Sequence, residues 1–129
     1  MAGISTYLAN KLLDHVNGRA VYTPPTALKL CLYVTNPTAA DTGTEVTGGS
    51  YARIDVSTLF PAAASNQAPS SSTVTFTGLP VVTFAYAAVR DAVADGNHLL
   101  YFGALASSFT ATSGSNFTLP IGTVIPEIF

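Results

Sequence analysis

Apolar residues recur near the start of the chain at the three- and four-residue spacing of an amphipathic helix. They are Ile4, Leu8, Leu12, Leu13 and Val16. Ser5 is a suitable N-cap in front of this run, and Gly18 is placed to end it. The pattern therefore predicts one amphipathic helix over about residues 5–17.

After the helix the hydrophobic period changes to two, which is typical of a β-strand. In the segment ALKLCLYVT, residues 27–35, aliphatic side chains share one face and mixed side chains share the other. The aliphatic face consists of Leu28, Leu30, Leu32 and Val34, and the mixed face of Lys29, Cys31 and Tyr33. This pattern predicts a strand that is half-buried or covered on both sides.

Further segments rich in Val, Thr, Phe and Tyr predict additional strands. They cover residues 51–57, 72–77, 80–91, 98–105 and 116–128. Turn signals separate them at residues 23–26, 36–37, 95–97 and 113–116. We therefore predict a single, mainly β domain over residues 1–129: an antiparallel β-sandwich or small barrel, with its β-rich body over about residues 20–129 and one N-terminal α-helix.

Two segments, residues 36–50 and 61–72, are rich in small and turn-forming residues and give little reason to pack. Such long loops are usually mobile or functional, and in an assembly protein they can become ordered only against a partner. Pro126 lies inside the last predicted strand, so we expect that strand to lie at an edge or to bend there.

Composition excludes several classes of partner. Charged residues make up only 9% of the chain and the formal net charge is -2, with the five basic residues scattered, so we expect no nucleic-acid binding. No apolar run reaches the roughly 18 to 20 residues of a membrane span, and the N-terminus lacks the pattern of a signal peptide. We expect a protein that is made in the cytoplasm and packs against neighbours without a membrane.

The candidate reactive side chains favour structural roles. Cys31 lies within a predicted strand, where a buried hydrophobic role is expected. His15 lies at the end of the helix, where a cation would complement the dipole. His98 follows a turn and is expected to face solvent, although an acid such as Asp55 or Asp91 is a conceivable partner. We predict no catalytic residue.

The acidic loop also gives no sign of a cofactor. Asp41 and Glu45 lack the alternating acids of a calcium loop and are expected to be solvated. GTEVTGG, residues 43–49, has no Lys-Ser/Thr to complete a phosphate loop, and Ser50 is not followed by the helix of a nucleophile elbow. We predict neither a metal nor a cofactor. Arg53 and Arg90 are either interface residues or simply partners of Asp55 and Asp91, and we favour the pairing.

One long block carries a family resemblance. LANKLLDHVNGRAVYTPPTALKLCLYVTNPTAADTGTEVTGGSYAR, residues 8–53, resembles the start of small tailed-phage virion proteins that are often labelled tail fibre or head decoration proteins. NHLLYFGAL, residues 97–105, resembles a second block of that family. The segment between the blocks departs from the family pattern, since it contains no Trp.

The resemblance implies a non-enzymatic virion protein, most simply a capsid decoration (cement) protein that binds the outer surface of the assembled head. It would be made in the cytoplasm of the host bacterium. Its partners would be the major capsid protein and its own copies, with a trimer favoured. The alternatives are a tail or head fibre module and, from another class, a sugar-binding β-sandwich; a small hydrolase comes last. The predicted contact residues are Leu8, Leu12, Tyr22, Tyr33, Glu45, Tyr51, Arg53 and Tyr101, of which Tyr33 and Tyr101 are favoured as aromatic side chains with a polar tip.

Overall fold

The computed structural model describes residues 3–91 and 97–128, which form seven strands and one helix. In chain order these elements are β1 Gly3–Ile4, α1 Thr6–Val16, β2 Leu28–Tyr33, β3 Ile54–Asp55, β4 Val74–Leu79, β5 Val82–Asp91, β6 Leu99–Ala111 and β7 Ser115–Leu119. The predicted turn at residues 95–97 lies largely outside the described residues.

The strands form two antiparallel sheets. The large sheet has the order β1-β6-β5-β2-β3, and the small sheet pairs β4 with β7. In the described part of the chain these sheets are not closed into a barrel. The prediction of a mainly β, antiparallel sandwich with one helix is therefore confirmed.

The main core lies between the two sheets, and both supply fully buried side chains. Leu30 and Leu32 from β2 meet Phe84 from β5 and Phe76 from β4. A group of three phenylalanines continues the core, with ring centroids 4.9 to 5.4 Å apart. Its members are Phe84, Phe109 and Phe117. Aromatic packing of this kind stabilises the contact between the sheets.

A smaller cluster covers the opposite, outer face of the large sheet. It contains Cys31 and Tyr33 from β2 with Ala88 and Leu99 from the neighbouring strands. Cys31 is fully buried, and burial raises the pKa of its thiol to about 12. The prediction that Cys31 acts as a buried hydrophobic residue is confirmed, and β2 is covered on both faces.

Helix α1 begins where the sequence indicates. The Ser5 hydroxyl accepts a hydrogen bond from the backbone N–H of Leu8 at 3.1 Å, and Gly18 follows the helix with φ +73°. Of the helical residues only Leu8 is fully buried, whereas Leu13 is 59% exposed and Val16 79% exposed. The apolar stripe is thus only partly covered by the domain.

Several strand boundaries differ from the prediction. β3 contains only two residues, and β7 ends at Leu119 because Pro120 follows it, so residues 120–128 do not continue the strand. β6 runs six residues beyond the predicted end at Leu105, because Phe109 packs into the core and keeps this part paired with β5. Pro126 therefore lies outside any strand.

The second half of segment 61–72 is anchored to the domain, although little packing was predicted there, whereas residues 61–66 are exposed. The Ser70 hydroxyl is buried and accepts hydrogen bonds from the backbone N–H groups of Gly122 at 3.0 Å and Val124 at 3.3 Å. Gln67 forms a β-bridge with Glu127. The segment and the C-terminal residues after β7 hold each other in place through these contacts.

Candidate interaction site on the outer face of the large sheet

The loop between β2 and β3, residues 34–53, folds back onto β2. The backbone N–H of Val34 donates to the Thr44 carbonyl at 2.8 Å, and the N–H of Val46 donates to the Leu32 carbonyl at 2.9 Å. Val46 is 2% exposed and belongs to the main core. Although residues 36–50 were predicted to be loose, the structure packs this segment against its own domain.

Arg90 on β5 is the central residue that fixes this loop. Its guanidinium donates to both carboxylate oxygens of Asp41, each at 2.7 Å, and to the Tyr33 hydroxyl at 2.8 Å. It also donates to the side-chain oxygen and the backbone carbonyl of Asn97. Only 8% of the Arg90 side chain is exposed, so these bonds replace water around a nearly buried cation.

A second arginine fixes the far end of the loop. Arg53 donates to the two carboxylate oxygens of Glu45 at 2.9 and 2.7 Å, which is the bidentate geometry that arginine favours. The Tyr51 hydroxyl donates to Glu45 at 2.9 Å and accepts the backbone N–H of Leu32 at 2.9 Å. Glu45 is thereby connected to the backbone of β2.

Asn97 joins the two arginines. Its side-chain oxygen accepts from Arg53 at 2.7 Å and from Arg90 at 3.0 Å. The Asn97 oxygen is therefore shared by two cations, whose charges are balanced by Asp41 and Glu45. We call this set of residues the double-arginine network; it consists of Tyr33, Asp41, Glu45, Tyr51, Arg53, Arg90 and Asn97.

The ionisation of Glu45 reflects the balance within this network. Burial disfavours its charged form, but hydrogen bonds from Arg53 and Tyr51 outweigh burial and hold the pKa of the carboxyl below its ordinary range. Burial also raises the pKa of the Tyr51 phenol, which therefore remains a donor to Glu45. In the double-arginine network each carboxylate faces an arginine, and the hydrogen bonds between them hold the β2–β3 loop in place.

A neighbouring cluster ties helix α1 to the same side of the sheet. The imidazole of His98 stacks on the Tyr7 ring with centroids 3.8 Å apart, and its Nδ1 lies 3.0 Å from the buried Asp91 carboxylate. The backbone N–H of Thr6 donates to the Ala39 carbonyl at 2.9 Å. His98 was predicted to face solvent; the structure instead packs its ring between the helix and the end of β5.

The eight predicted contact residues fall into three groups. Leu8 and Tyr33 are 3% and 2% exposed and pack within the domain. Glu45, Tyr51 and Arg53 are half-buried members of the double-arginine network. Leu12 on α1, together with Tyr22 and Tyr101, is half-buried elsewhere. The structure thus brings four of the predicted residues together through contacts within one chain, while their role toward a partner stays a prediction.

The predicted ion pairs were wrong. Arg53 pairs with Glu45 and Arg90 with Asp41, so neither of these acids is merely solvated. Asp55 instead pairs with Lys29 at 3.2 Å, because the two residues lie opposite each other on β3 and β2. The remaining predicted acceptor, Asp91, accepts a hydrogen bond from the backbone N–H of His98 at 2.8 Å and lies 3.0 Å from Nδ1 of its ring.

Sequence reasoning did not include Arg90, Asp41 or Asn97 among the site residues. An arginine near the end of a core strand needs an acid close by, because a buried charge is rarely left unpaired. In a chain with so few charges, this requirement could have marked Arg90 as a site residue. The choice of acid was not available, because it depends on how the β2–β3 loop folds back.

Neither a metal centre nor a membrane span is found among residues 3–91 and 97–128. No group of three His, Cys, Asp or Glu side chains there is placed to hold a metal ion. The helix of this part of the chain is too short to cross a bilayer.

The fold and the site together define a β-sandwich whose polar side chains hold its own loop and helix in place. The family described as podophage GP4 fiber I protein gp80 matches the chain over residues 3–126. The chain therefore belongs to this family, and it is a phage virion structural protein. A search of curated proteins gives no match. The predicted membership in a family of phage virion proteins is confirmed.

Proposed function

We propose that the protein is a non-enzymatic building block of a fibre on the phage virion, where it serves as a module that packs against copies of itself and against the shell or tail that carries the fibre. The observation that carries this proposal is the family match, whose printed description names a fiber protein and which spans residues 3–126. The predicted location on the virion follows from the same match.

The charged side chains of the site support a structural role, because they pair with one another within the chain. The arginine–carboxylate pairs form within the chain, where their bidentate geometry ties a loop to the sheet. Groups engaged in this way position the backbone, and they leave a surface formed mainly by neutral side chains. Such a surface can form wide contacts without burying unpaired ions.

A second candidate function is capsid decoration, in which the protein binds the outer surface of the assembled head. The observation that favours it is the low charge, since charged residues are only 9% of the chain and a neutral surface suits broad contact with a lattice. A ligand that binds only the closed lattice would stabilise the head by mass action. In this case the major capsid protein is the partner, and copies of the chain are expected to assemble as a trimer.

Cryo-electron microscopy of the virion that encodes this chain tests both candidates. Density for the sandwich along fibres is the expected result. Regular density over the head lattice, at every capsomer or threefold position, would replace the fibre with decoration. Absence of the protein from purified particles would overturn both proposals.

A further inference from the structure

The C-terminal end of α1 carries a small exposed projection. We call residues 16–22 the helix-end knob. Val21 is 84% exposed and Val16 79%, the two highest values among the large hydrophobic residues of the described chain. No described residue forms an ion pair with Arg19, which lies between them. The knob thus presents apolar surface together with one cation that has no ion-pair partner among the described residues.

The knob is fixed in shape by its own hydrogen bonds. The backbone N–H groups of Arg19 and Ala20 donate to the Asp14 carbonyl at 2.7 and 3.2 Å. The N–H of Tyr22 donates to Nδ1 of His15 at 3.1 Å. A segment held in this way loses little conformational freedom on binding, which favours its use as a contact element.

The described chain also contains a groove of matching character. The space of about 490 Å³ is lined by five apolar or aromatic residues, with Tyr101 and the half-exposed Ile128 among them, and by the polar residues Asn66, Gln67 and Glu127. Ala63, Ala68 and Pro126 are part of the wall. Glu127 places the one acidic side chain of the lining there, and its carboxylate accepts a hydrogen bond from Gln67 at 3.0 Å.

We propose that the helix-end knob of one copy inserts into this groove of a second copy. Val21 supplies an apolar wedge for the alanine and proline wall, and Arg19, two residues away, supplies the charge that complements Glu127. Glu127 has partners within its own chain, and its carboxylate can accept an arginine in addition to them, since it has about four acceptor positions. A contact between different surfaces of identical chains repeats, and it closes a ring or extends along a line.

This inference rests on the proposed function in one respect, that a virion structural protein is present in many copies. It goes beyond that function because it names the surface through which copies meet, and it is independent of whether the copies lie on a fibre or on the head. Absence from the virion would overturn the function and leave the contact intact.

Disulfide trapping between two variants, each with one introduced cysteine, tests the contact. Val21→Cys protein is mixed with Ala68→Cys protein under mild oxidation, and the mixed dimer is measured on a non-reducing gel. Native Cys31 is fully buried and is expected to remain silent. The matched control replaces Ala68→Cys by Thr75→Cys, an exposed position on the outer face of the small sheet.

We expect the Val21→Cys and Ala68→Cys pair to give at least about tenfold more mixed dimer than the control pair, because a docked contact raises the effective concentration of the two thiols. Equal yields from the two pairs would overturn the proposal.

Charge reversal supplies a second readout. Arg19→Glu is expected to weaken self-association in sedimentation by about three- to tenfold, whereas Lys11→Glu, the same change of charge on helix α1 and outside the knob, leaves it unchanged. The double variant Arg19→Glu with Glu127→Arg restores the opposite charges and is expected to recover association. Failure of the double variant to recover, or a native chain that stays monomeric at the highest soluble concentration, would contradict the contact.

Discussion

The structure anchors the β2–β3 loop and leaves much of helix α1 exposed. The sequence instead predicts a loose loop and an amphipathic helix that packs on the domain. The loop, rich in Gly, Thr and Ala, is held by two arginine–carboxylate pairs and by the buried side chain of Val46. The helix, with an apolar residue at nearly every expected position, buries Leu8 but leaves Leu13 and Val16 exposed. Ion pairs fix the loop, whereas much of the helix is available to a neighbour.

The difference shows that hydrophobicity alone does not decide which segments of this protein are held in place. A segment is also held where its side chains find ion-pair partners within the fold. Asp41 reaches Arg90 on β5, and Glu45 reaches Arg53 at the end of the loop, so the loop has strong local anchors. In the second half of α1 only Leu12 is half-buried, and the other residues are exposed. An exposed apolar helix face in a virion protein is a site where assembly can supply the missing contacts.

The largest expected effect comes from removing the central cation of the loop. Arg90→Met keeps much of the side-chain volume but leaves Asp41 and Tyr33 without their donor. We expect the free energy of unfolding to fall by about 3 kcal/mol, because the buried Tyr33 hydroxyl, the Asn97 carbonyl and the Asp41 carboxylate all lose their donor. Urea denaturation followed by circular dichroism measures it. Arg19→Met is the control and should change stability by less than about 0.5 kcal/mol; a similar loss in both variants would remove the contrast between loop and helix end.

Two identical substitutions on the helix give the next effect. Leu8→Ala should lower the free energy of unfolding by roughly 2 kcal/mol, because it leaves a cavity beneath the helix. Leu13→Ala should leave it nearly unchanged, because Leu13 is 59% exposed. Thermal or urea unfolding of the two variants gives the comparison, and equal losses would show that Leu13 is covered in solution.

Acid should weaken the loop through Glu45. Its pKa is lowered in the folded protein, so the stabilisation is present above the ordinary pKa of a glutamate and is lost as pH falls through the lowered value. At neutral pH Glu45→Gln should cost about 1.5 kcal/mol, a charge-assisted bond discounted for partial exposure. The difference in free energy of unfolding between the native protein and the variant should disappear on acidification, which unfolding experiments at several pH values would measure. A difference that stays constant would show that the charge of Glu45 does not hold the loop.

The smallest effect concerns the junction between the helix and the knob. Gly18 has φ +73° and open space around its Cα, so Gly18→Ala meets only the backbone preference and not a clash. We expect the free energy of unfolding, measured by thermal unfolding, to fall by about 0.5 to 1 kcal/mol. Gly114→Ala at the β6–β7 turn, where φ is +82°, is the matched control and should show a similar loss. No loss for Gly18→Ala would mean that the knob is not fixed in solution as the structure has it.

Periodicity and turn chemistry were sufficient to predict much of the fold. The period of two located β2, the segments rich in Val, Thr, Phe and Tyr located β5 and the first half of β6, and Ser5 and Gly18 marked the limits of α1. The end of β6 could not be predicted, because residues 106–111 are kept in the strand by Phe109, whose partners come from β5 and β7. Tertiary packing decided this boundary.

For the candidate site, the sequence could predict some of the residues but not which of them pair. Glu45, Tyr51 and Arg53 lie within nine residues of one another and were all proposed as contact residues, yet their pairing depends on the loop closing on β2. Arg90 and Asp41 are 49 positions apart, and nothing in either local sequence specifies the other. Local patterns indicate which residues are unusual, whereas the fold determines which of them meet.

The length of β6 has a mechanical consequence. At about 3.3 Å per residue its 13 residues span roughly 40 Å, and they pair with β5 along most of that distance. A pull directed along β6 would load the bonds of this ladder in shear and all at once, whereas a pull across the sheet would open them one after another. We therefore expect the protein to be stiffest along β6, which single-molecule force spectroscopy with two attachment geometries would measure.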